Sequence, residues 1–141
     1  MEVVAWSRSP FSDANARSVS LEELLSSSDV VSLHLGFNEA TRGFLSRARL
    51  RVMKPGSILV NTARGALLDE TGLVEAPCDG HIAHAALDVF ETEPLPVDSP
   101  LRSAPNLTLT AHCGFWTESA TINQMRLVLG IAKRLVGTAA P

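Results

Sequence analysis

Ser57-Ile58-Leu59-Val60-Asn61-Thr62-Ala63-Arg64-Gly65 decides the fold. Its first five residues have the apolar, β-branched character of a buried strand. Lys54-Pro55-Gly56 precedes them and stops a helix, since proline cannot continue it and glycine tolerates the exit. After the strand the chain turns polar and ionisable at Thr62 and Arg64.

Similar units lie on either side. Ser46 can cap a helix running to about Met53, and residues 29–34 form another apolar, β-branched strand. Ser20-Leu21-Glu22-Glu23 fits a capping box, with Ser20 accepting from the third helical amide and Glu23 reaching back, for a helix to about Ser27. A strand is expected over residues 2–6, ending in Ser7-Arg8-Ser9-Pro10. Towards the C-terminus, Asp69 can cap a helix that Pro77 should end early, with Gly80 closing the connection. Residues 82–89 and 107–109 read as strands. Thr117 can cap a long amphipathic helix to about Val136, with Met125, Val128, Leu129, Ala132 and Leu135 near helical spacing.

Apolar strands alternating with short helices imply βαβ units, and so an α/β fold whose parallel sheet is covered on both faces. The stretch from Pro94 to Pro105 holds four of the eight prolines and reads as an ordered loop at the edge of a site.

The length of 141 residues suits one domain or a piece of one. A composition 45% hydrophobic and 19% charged is that of a folded globular chain. A net charge of −3 argues against bulk electrostatic binding to nucleic acid or an acidic membrane. Two cysteines, Cys78 and Cys113, are too few for a disulfide scaffold. Met1-Glu2-Val3 begins unlike a secretory leader, and no apolar run is long enough to span a bilayer. The expected location is the cytoplasm.

Open parallel sheets bind ligands outside the carboxyl ends of their strands. Those ends here are Ser7-Arg8, His34-Leu35-Gly36, Thr62-Ala63-Arg64, residues 88–93 and His112. They are polar and ionisable although the strands before them are apolar, which is the main reason to expect an active site there. Taken singly, each residue also has a plain reading. Arg64 could be a surface ion-pair partner, Glu93 a solvated loop acid and His112 a turn histidine bonding backbone. His34 is expected to bond backbone. His81 and His84 flank a strand start without ligand spacing to the cysteines, so no metal site is expected. Cys113 adjoins His112, but neighbours at a strand end point apart, which disfavours a cysteine–histidine nucleophile.

Three segments together resemble, in order and spacing, the D-2-hydroxyacid dehydrogenase family. They are Met53-Lys54-Pro55-Gly56 leading to Val60-Asn61-Thr62-Ala63-Arg64-Gly65; Ala86-Leu87-Asp88-Val89-Phe90-Glu91-Thr92-Glu93-Pro94; and Pro105-Asn106-Leu107 leading to Thr110-Ala111-His112. The family includes phosphoglycerate, glyoxylate and hydroxypyruvate reductases and the C-terminal binding protein co-repressors. The resemblance runs over nearly the whole chain. It implies a Rossmann-like doubly wound parallel sheet and hydride transfer between NAD(P)H and a small 2-keto or 2-hydroxy acid.

That reaction needs hydride on the carbonyl carbon, a proton on its oxygen and a cation for the carboxylate. By resemblance Arg64 is the carboxylate clamp, whose planar fork suits a bidentate partner. His112 is the acid/base and Glu93 the carboxylate that pairs with it. Asp88 lies near the nicotinamide. Leu35, Gly36, Asn38, Thr41, Thr62, Ala63, Arg64, His112 and Gly114 belong to cofactor-contacting loops. NAD-selective members carry an acid after the second strand to bond the ribose. Here Ser7, Arg8 and Ser9 stand in its place, and Arg8 could accept a 2′-phosphate, which favours NADP over NAD. The expected partners are the small acid substrate and a second copy in a homodimer.

The family's Gly-rich G-x-G-x-x-G turn, with the strand before it and the helix after it, has no counterpart here. The implied architecture is therefore an incomplete sheet with an unpaired inner edge. Residues 1–141 would be part of an NAD(P)-binding domain, with the helix over about 117–141 leading back towards an absent substrate domain. Such a chain would bind cofactor poorly alone and need the missing half for activity. The alternative is a non-enzymatic nucleotide-sensing or oligomerising module, or an inactive fragment. Pro77, Cys78, His84 and Ala111 depart from the family pattern, and Pro77 and His84 could loosen the connection that positions Asp88.

Overall fold

The computed structural model describes residues 1–78 and 81–137. The chain divides into two units, one over residues 1–111 and the other from His112 onward.

The first unit begins with β1 (Val4–Ala5) and β2 (Arg17–Ser18), then α1 (Leu21–Ser27), β3 (Val30–Leu33), α2 (Arg47–Val52), β4 (Ser57–Asn61), α3 (Glu70–Cys78), β5 (Ile82–Leu87) and β6 (Leu107–Leu109). Every strand pairing is parallel. The strands form two separate sheets, β1–β2 and β3–β4–β5–β6. The fold is the expected Rossmann-like α/β arrangement, with its described strands in two sheets rather than one.

The helix starts follow the caps read from the sequence. Ser20 Oγ accepts from Glu23 N at 3.1 Å and Ser46 Oγ from Arg49 N at 3.5 Å. The Glu23 carboxylate does not complete the expected capping box; its Oε1 meets Arg17 Nη1 at 2.9 Å. Asp69 serves two elements, with Oδ1 accepting from Gly72 N at 2.8 Å and Oδ2 from Arg47 N at 3.2 Å.

Two expectations need correction. Pro77 does not end α3 early, because the helix runs through it to Cys78. Proline's fixed φ is compatible with a helix, and in the last turn it forfeits only its own amide bond. The expected closure at Gly80 lies outside the described residues.

Nor do the described residues of the first unit cover the sheet on both faces. Burial alternates along the strands: Val31, Leu33, Ser57, Leu59, Asn61, Ile82, Ala85 and Leu87 are buried, while Val30, Ser32, Ile58 and Ala83 are exposed. The core therefore lies on one face, where Leu25 of α1, Leu50 of α2 with Met53 just beyond it, and Leu73 of α3 meet the inward strand residues together with Leu45, Leu67, Leu68 and Leu101. An apolar strand sequence is equally consistent with one covered face or two.

Residues 94–105 are ordered as expected. A 3-10 turn at Pro100–Arg102 buries Leu101, and Arg102 donates to the carbonyls of Pro96 at 2.8 Å and Leu95 at 2.7 Å.

In the second unit, Thr117 Oγ1 accepts from Ala120 N at 3.1 Å and so caps α4 (Glu118–Gly137), as expected. Ile122, Met125, Val128, Leu129 and Leu135 of α4 are exposed. Among the described residues no helix is long and apolar enough to cross a membrane.

Candidate active site

The carboxyl ends of β3, β4, β5 and β6 open into the loops expected to carry function. The loop after β4 is built by Asn61, which is fully buried at the strand end. Its Oδ1 accepts from Ala63 N at 3.1 Å and its Nδ2 donates to Arg64 O at 3.0 Å. The amide thus bonds the backbone two and three residues on and fixes the path of Thr62, Ala63 and Arg64. Thr62 and Arg64 are exposed. One guanidinium nitrogen of Arg64 donates to Ala63 O at 2.6 Å. Among the described residues no carboxylate pairs with Arg64, so its remaining donors can meet an anionic ligand.

Gly65 opens a 3-10 turn, Gly65–Leu67, directly after Arg64. A β-carbon on Gly65 would fall on the carbonyl carbon and oxygen of Phe90 and on the amide nitrogen of Glu91. Only hydrogen at this position lets the two backbones meet. Residues 90–93 are therefore seated on the segment that carries Arg64.

Within that loop Glu93 Oε1 accepts from Phe90 N at 2.9 Å, and the Glu93–Pro94 peptide is cis. Glu91 N donates to Glu70 Oε1 at 2.7 Å. Burial pushes the Glu70 carboxyl above its ordinary range; the Glu91 amide opposes this and the Glu91 carboxylate adds to it. Asp88, only 6% exposed, is set in register by Asp88 N donating to Asn61 O at 3.0 Å, and its Oδ1 accepts from Thr110 Oγ1 at 2.5 Å.

The loop after β3 is held mainly by its own polar groups. Asn38 and Thr41 form a reciprocal capping box, Thr41 N to Asn38 Oδ1 at 3.1 Å and Asn38 N to Thr41 Oγ1 at 2.8 Å. Thr41 Oγ1 also donates to Gly36 O at 3.1 Å, and Thr41 is buried. Their side-chain oxygens thus shape the loop, whereas Gly36 has open space where a side chain would sit. Arg42 lies over the Phe37 ring and pairs with Glu39 and with Glu91 at 3.2 Å, tying this loop to residues 90–93.

Ser7, Arg8 and Ser9 are exposed in the turn after β1, with Ser9 N donating to Ser7 Oγ at 3.4 Å. Trp6, just before this turn, stacks on Phe44 with ring centroids 5.3 Å apart. Hydroxyls flanking an exposed guanidinium suit a ribose phosphate.

His112 begins the second unit in a left-handed backbone conformation, φ +52°, which side chains other than glycine rarely adopt. It makes an edge contact with Phe115, centroids 6.3 Å apart. Gly114 and Cys113 follow it, both exposed.

Asn61, Gly65, Glu70 and Thr110 build the site without having been expected to. Asn61 left a signal, a polar residue ending an apolar strand. His34 was expected to bond backbone, but its Nε2 meets Ser32 Oγ at 2.9 Å, because alternate residues of the strand share one face. His84 meets Thr108 Oγ1 at 2.9 Å, and His81 Nε2 is buried without a partner among the described residues.

Comparison with known proteins shows the family. Residues 1–114 match the family described as D-isomer specific 2-hydroxyacid dehydrogenase, NAD binding domain. The chain belongs to that family. It is 42% identical over 120 residues to a glyoxylate reductase of Aeropyrum pernix, a match covering 85% of this chain and 35% of the relative. A family member from Xanthobacter autotrophicus, solved in complex with NADPH and MES, is 39% identical with a TM-score of 0.75, covering 79% of this chain and 36% of that one. Another from Lactobacillus delbrueckii ssp. bulgaricus, in its NAD-complexed form, is 27% identical with a TM-score of 0.87, covering 99% and 47%. The chain spans about a third of the length of the curated relatives it matches, 35% for the Aeropyrum enzyme.

Proposed function

We propose that this chain forms the catalytic part of an NAD(P)-dependent reductase acting on small 2-keto acids, or on the corresponding D-2-hydroxy acids in reverse. One observation carries the reading. Arg64, unpaired with any carboxylate of the described residues, sits on an Asn61-built turn whose next residue is locked against the loop bearing Glu93. When bound, the dinucleotide supplies the hydride. Arg64 grips the substrate carboxylate and directs its carbonyl. His112 gives the proton to the carbonyl oxygen, and Glu93 orients the imidazole. Asp88, held by Thr110, borders the nicotinamide position.

The residues fit a dinucleotide at two places. Gly36 leaves space beside the β3 loop, and Ser7, Arg8 and Ser9 offer donors after β1. The absence of an acid among these three supports NADP over NAD, and relatives are known with each cofactor. We place the chain in the cytoplasm.

The test measures NADPH and NADH binding to the chain by tryptophan fluorescence, with Trp6 as reporter, followed by NADPH oxidation with glyoxylate. Saturable NADPH binding and turnover abolished by Arg64→Lys, which removes the planar fork, support the reading. A folded chain that still binds neither nucleotide when joined to the Gly-rich segment and substrate domain of a family member sinks it.

The exposed apolar residues of α4 favour a second reading, a module that self-associates through that helix. A folded chain that forms a concentration-dependent dimer without binding nucleotide would favour it.

A further inference from the structure

Glu70 is the first residue of α3, where an acid ordinarily serves its own helix by facing the amides of the first turn. Here its carboxylate crosses to a different loop and accepts from Glu91 N at 2.7 Å. The same loop rests on Gly65 through Phe90 and Glu91. The segment over residues 64–70 therefore grips residues 90–93 twice, once by backbone contact beneath and once by a carboxylate at the side. Between the two grips the Phe90 amide turns to Glu93 Oε1. The Arg42–Glu91 ion pair is a further tether of the loop, and both its side chains are about half exposed, 49% and 55%. Exposed pairs of this kind hold geometry weakly. The Glu70 bond is shorter, and it ends on a backbone amide rather than on a second long side chain, so less freedom has to be lost to hold it.

We propose that Glu70 is a positioning residue. By holding the Glu91 amide it keeps the loop of residues 90–93 on the Gly65 turn, so that Arg64 and Glu93 are presented as one fixed pair. The inference rests on the roles given to Arg64 and Glu93 above. It does not place Glu70 against the substrate.

The test compares the full chain with Glu70→Gln and Glu70→Ala. Hydrogen exchange at the Phe90 and Glu91 amides reads the grip directly. Both amides should lose protection in the alanine variant and keep it in the glutamine variant, whose side-chain oxygen still accepts. The Glu91 amide resonance of the wild type should move as Glu70 ionises, and stay still in the glutamine variant. With NADPH and glyoxylate, the alanine variant should lose about tenfold to a hundredfold in kcat/KM, as small misplacements of catalytic groups do. The glutamine variant should restore most of it. Unchanged exchange in a folded alanine variant, or a Glu91 resonance indifferent to pH in the wild type, overturns the proposal. So does a glutamine variant as impaired as the alanine one. Should the alanine variant fail to fold, the wild-type titration and the glutamine variant decide. A wild-type chain that reduces no glyoxylate counts against the proposed function instead, and the amide measurements then settle Glu70 on their own.

Discussion

Thr110 Oγ1 donates a 2.5 Å hydrogen bond to Oδ1 of Asp88, joining the residue just past β6 to the residue just past β5. Asp88 is 6% exposed, so water is poorly placed to replace this donor. Thr110→Val keeps the shape and removes the hydroxyl. It should cost about 1.5–3 kcal/mol, the worth of one hydrogen bond to a charged group. Thr110→Ser should recover most of that. Urea unfolding of the three chains at neutral pH checks the order; a valine variant as stable as wild type would show the bond to be dispensable.

Two glycines should respond differently to alanine. At Gly65 the added methyl meets the Phe90–Glu91 backbone, which has no side-chain freedom to yield. Gly65→Ala should lose about 3 kcal/mol or more, or fail to fold. At Gly72 the nearest atom is Asp69 Oδ2 at 2.8 Å, the end of a side chain, and the position is helical. Gly72→Ala regains up to about 1 kcal/mol of helix propensity against that crowding. Its unfolding midpoint should lie near that of wild type.

Glu70 makes stability depend on pH in a direction opposite to the usual acid. Its folded carboxyl titrates above the ordinary value of 4.5 because it is buried. Between the unfolded and folded values the folded chain binds more protons, so the contribution is fully present below about pH 4.5 and lost as pH rises through the folded value. Glu70→Gln carries no such loss. The stability difference between glutamine variant and wild type should therefore shift in favour of glutamine as pH rises from that value, and be flat below it. Denaturation curves across the acid range test this; a difference that moves the other way removes burial as the dominant effect.

Arg8 should govern the choice between nucleotides. Arg8→Ala removes the only cation among residues 7–9. NADPH affinity should fall by about tenfold, the worth of one charge-assisted contact of about 1.4 kcal/mol, with NADH affinity unchanged. Equal loss for both nucleotides would assign Arg8 to the fold.

Much of this architecture was readable before any coordinates. β4 and β6 fall on the residues their apolar runs indicate, and Ser20, Ser46 and Thr117 cap the helices that follow them. These are local signals, carried by a few consecutive side chains. Arg64 at a strand end was legible for the same reason. The role of Gly65 was not, because what forbids a side chain there is the backbone of Phe90 and Glu91 on a distant strand end. Glu70 looked like an ordinary helix-start acid until its partner across the loop was placed. The one-sided burial of the sheet was hidden because Val30 and Ile58 are as apolar as the core residues beside them. Strand length failed at β1, where residues 2–6 are apolar enough for a strand but only Val4 and Ala5 find a pairing partner.

The separation of β1–β2 from the larger sheet has its own consequence. Two strands of two residues each, joined by Arg17 N to Val3 O and Val19 N to Ala5 O at 3.0 Å, form a marginal unit by themselves. Among the described residues the Trp6–Phe44 stack and the exposed Arg17–Glu23 ion pair tether it to the rest, and an exposed Arg17–Glu2 pair lies within it. Such a unit should open at lower free energy than the core, which hydrogen exchange at the Arg17 and Val19 amides would show. If Arg8 holds the nucleotide as proposed, its affinity is scaled by the fraction of molecules in which the pair is docked. Substitutions that merely strengthen the docking, without touching any ligand contact, would then tighten binding of the phosphorylated cofactor.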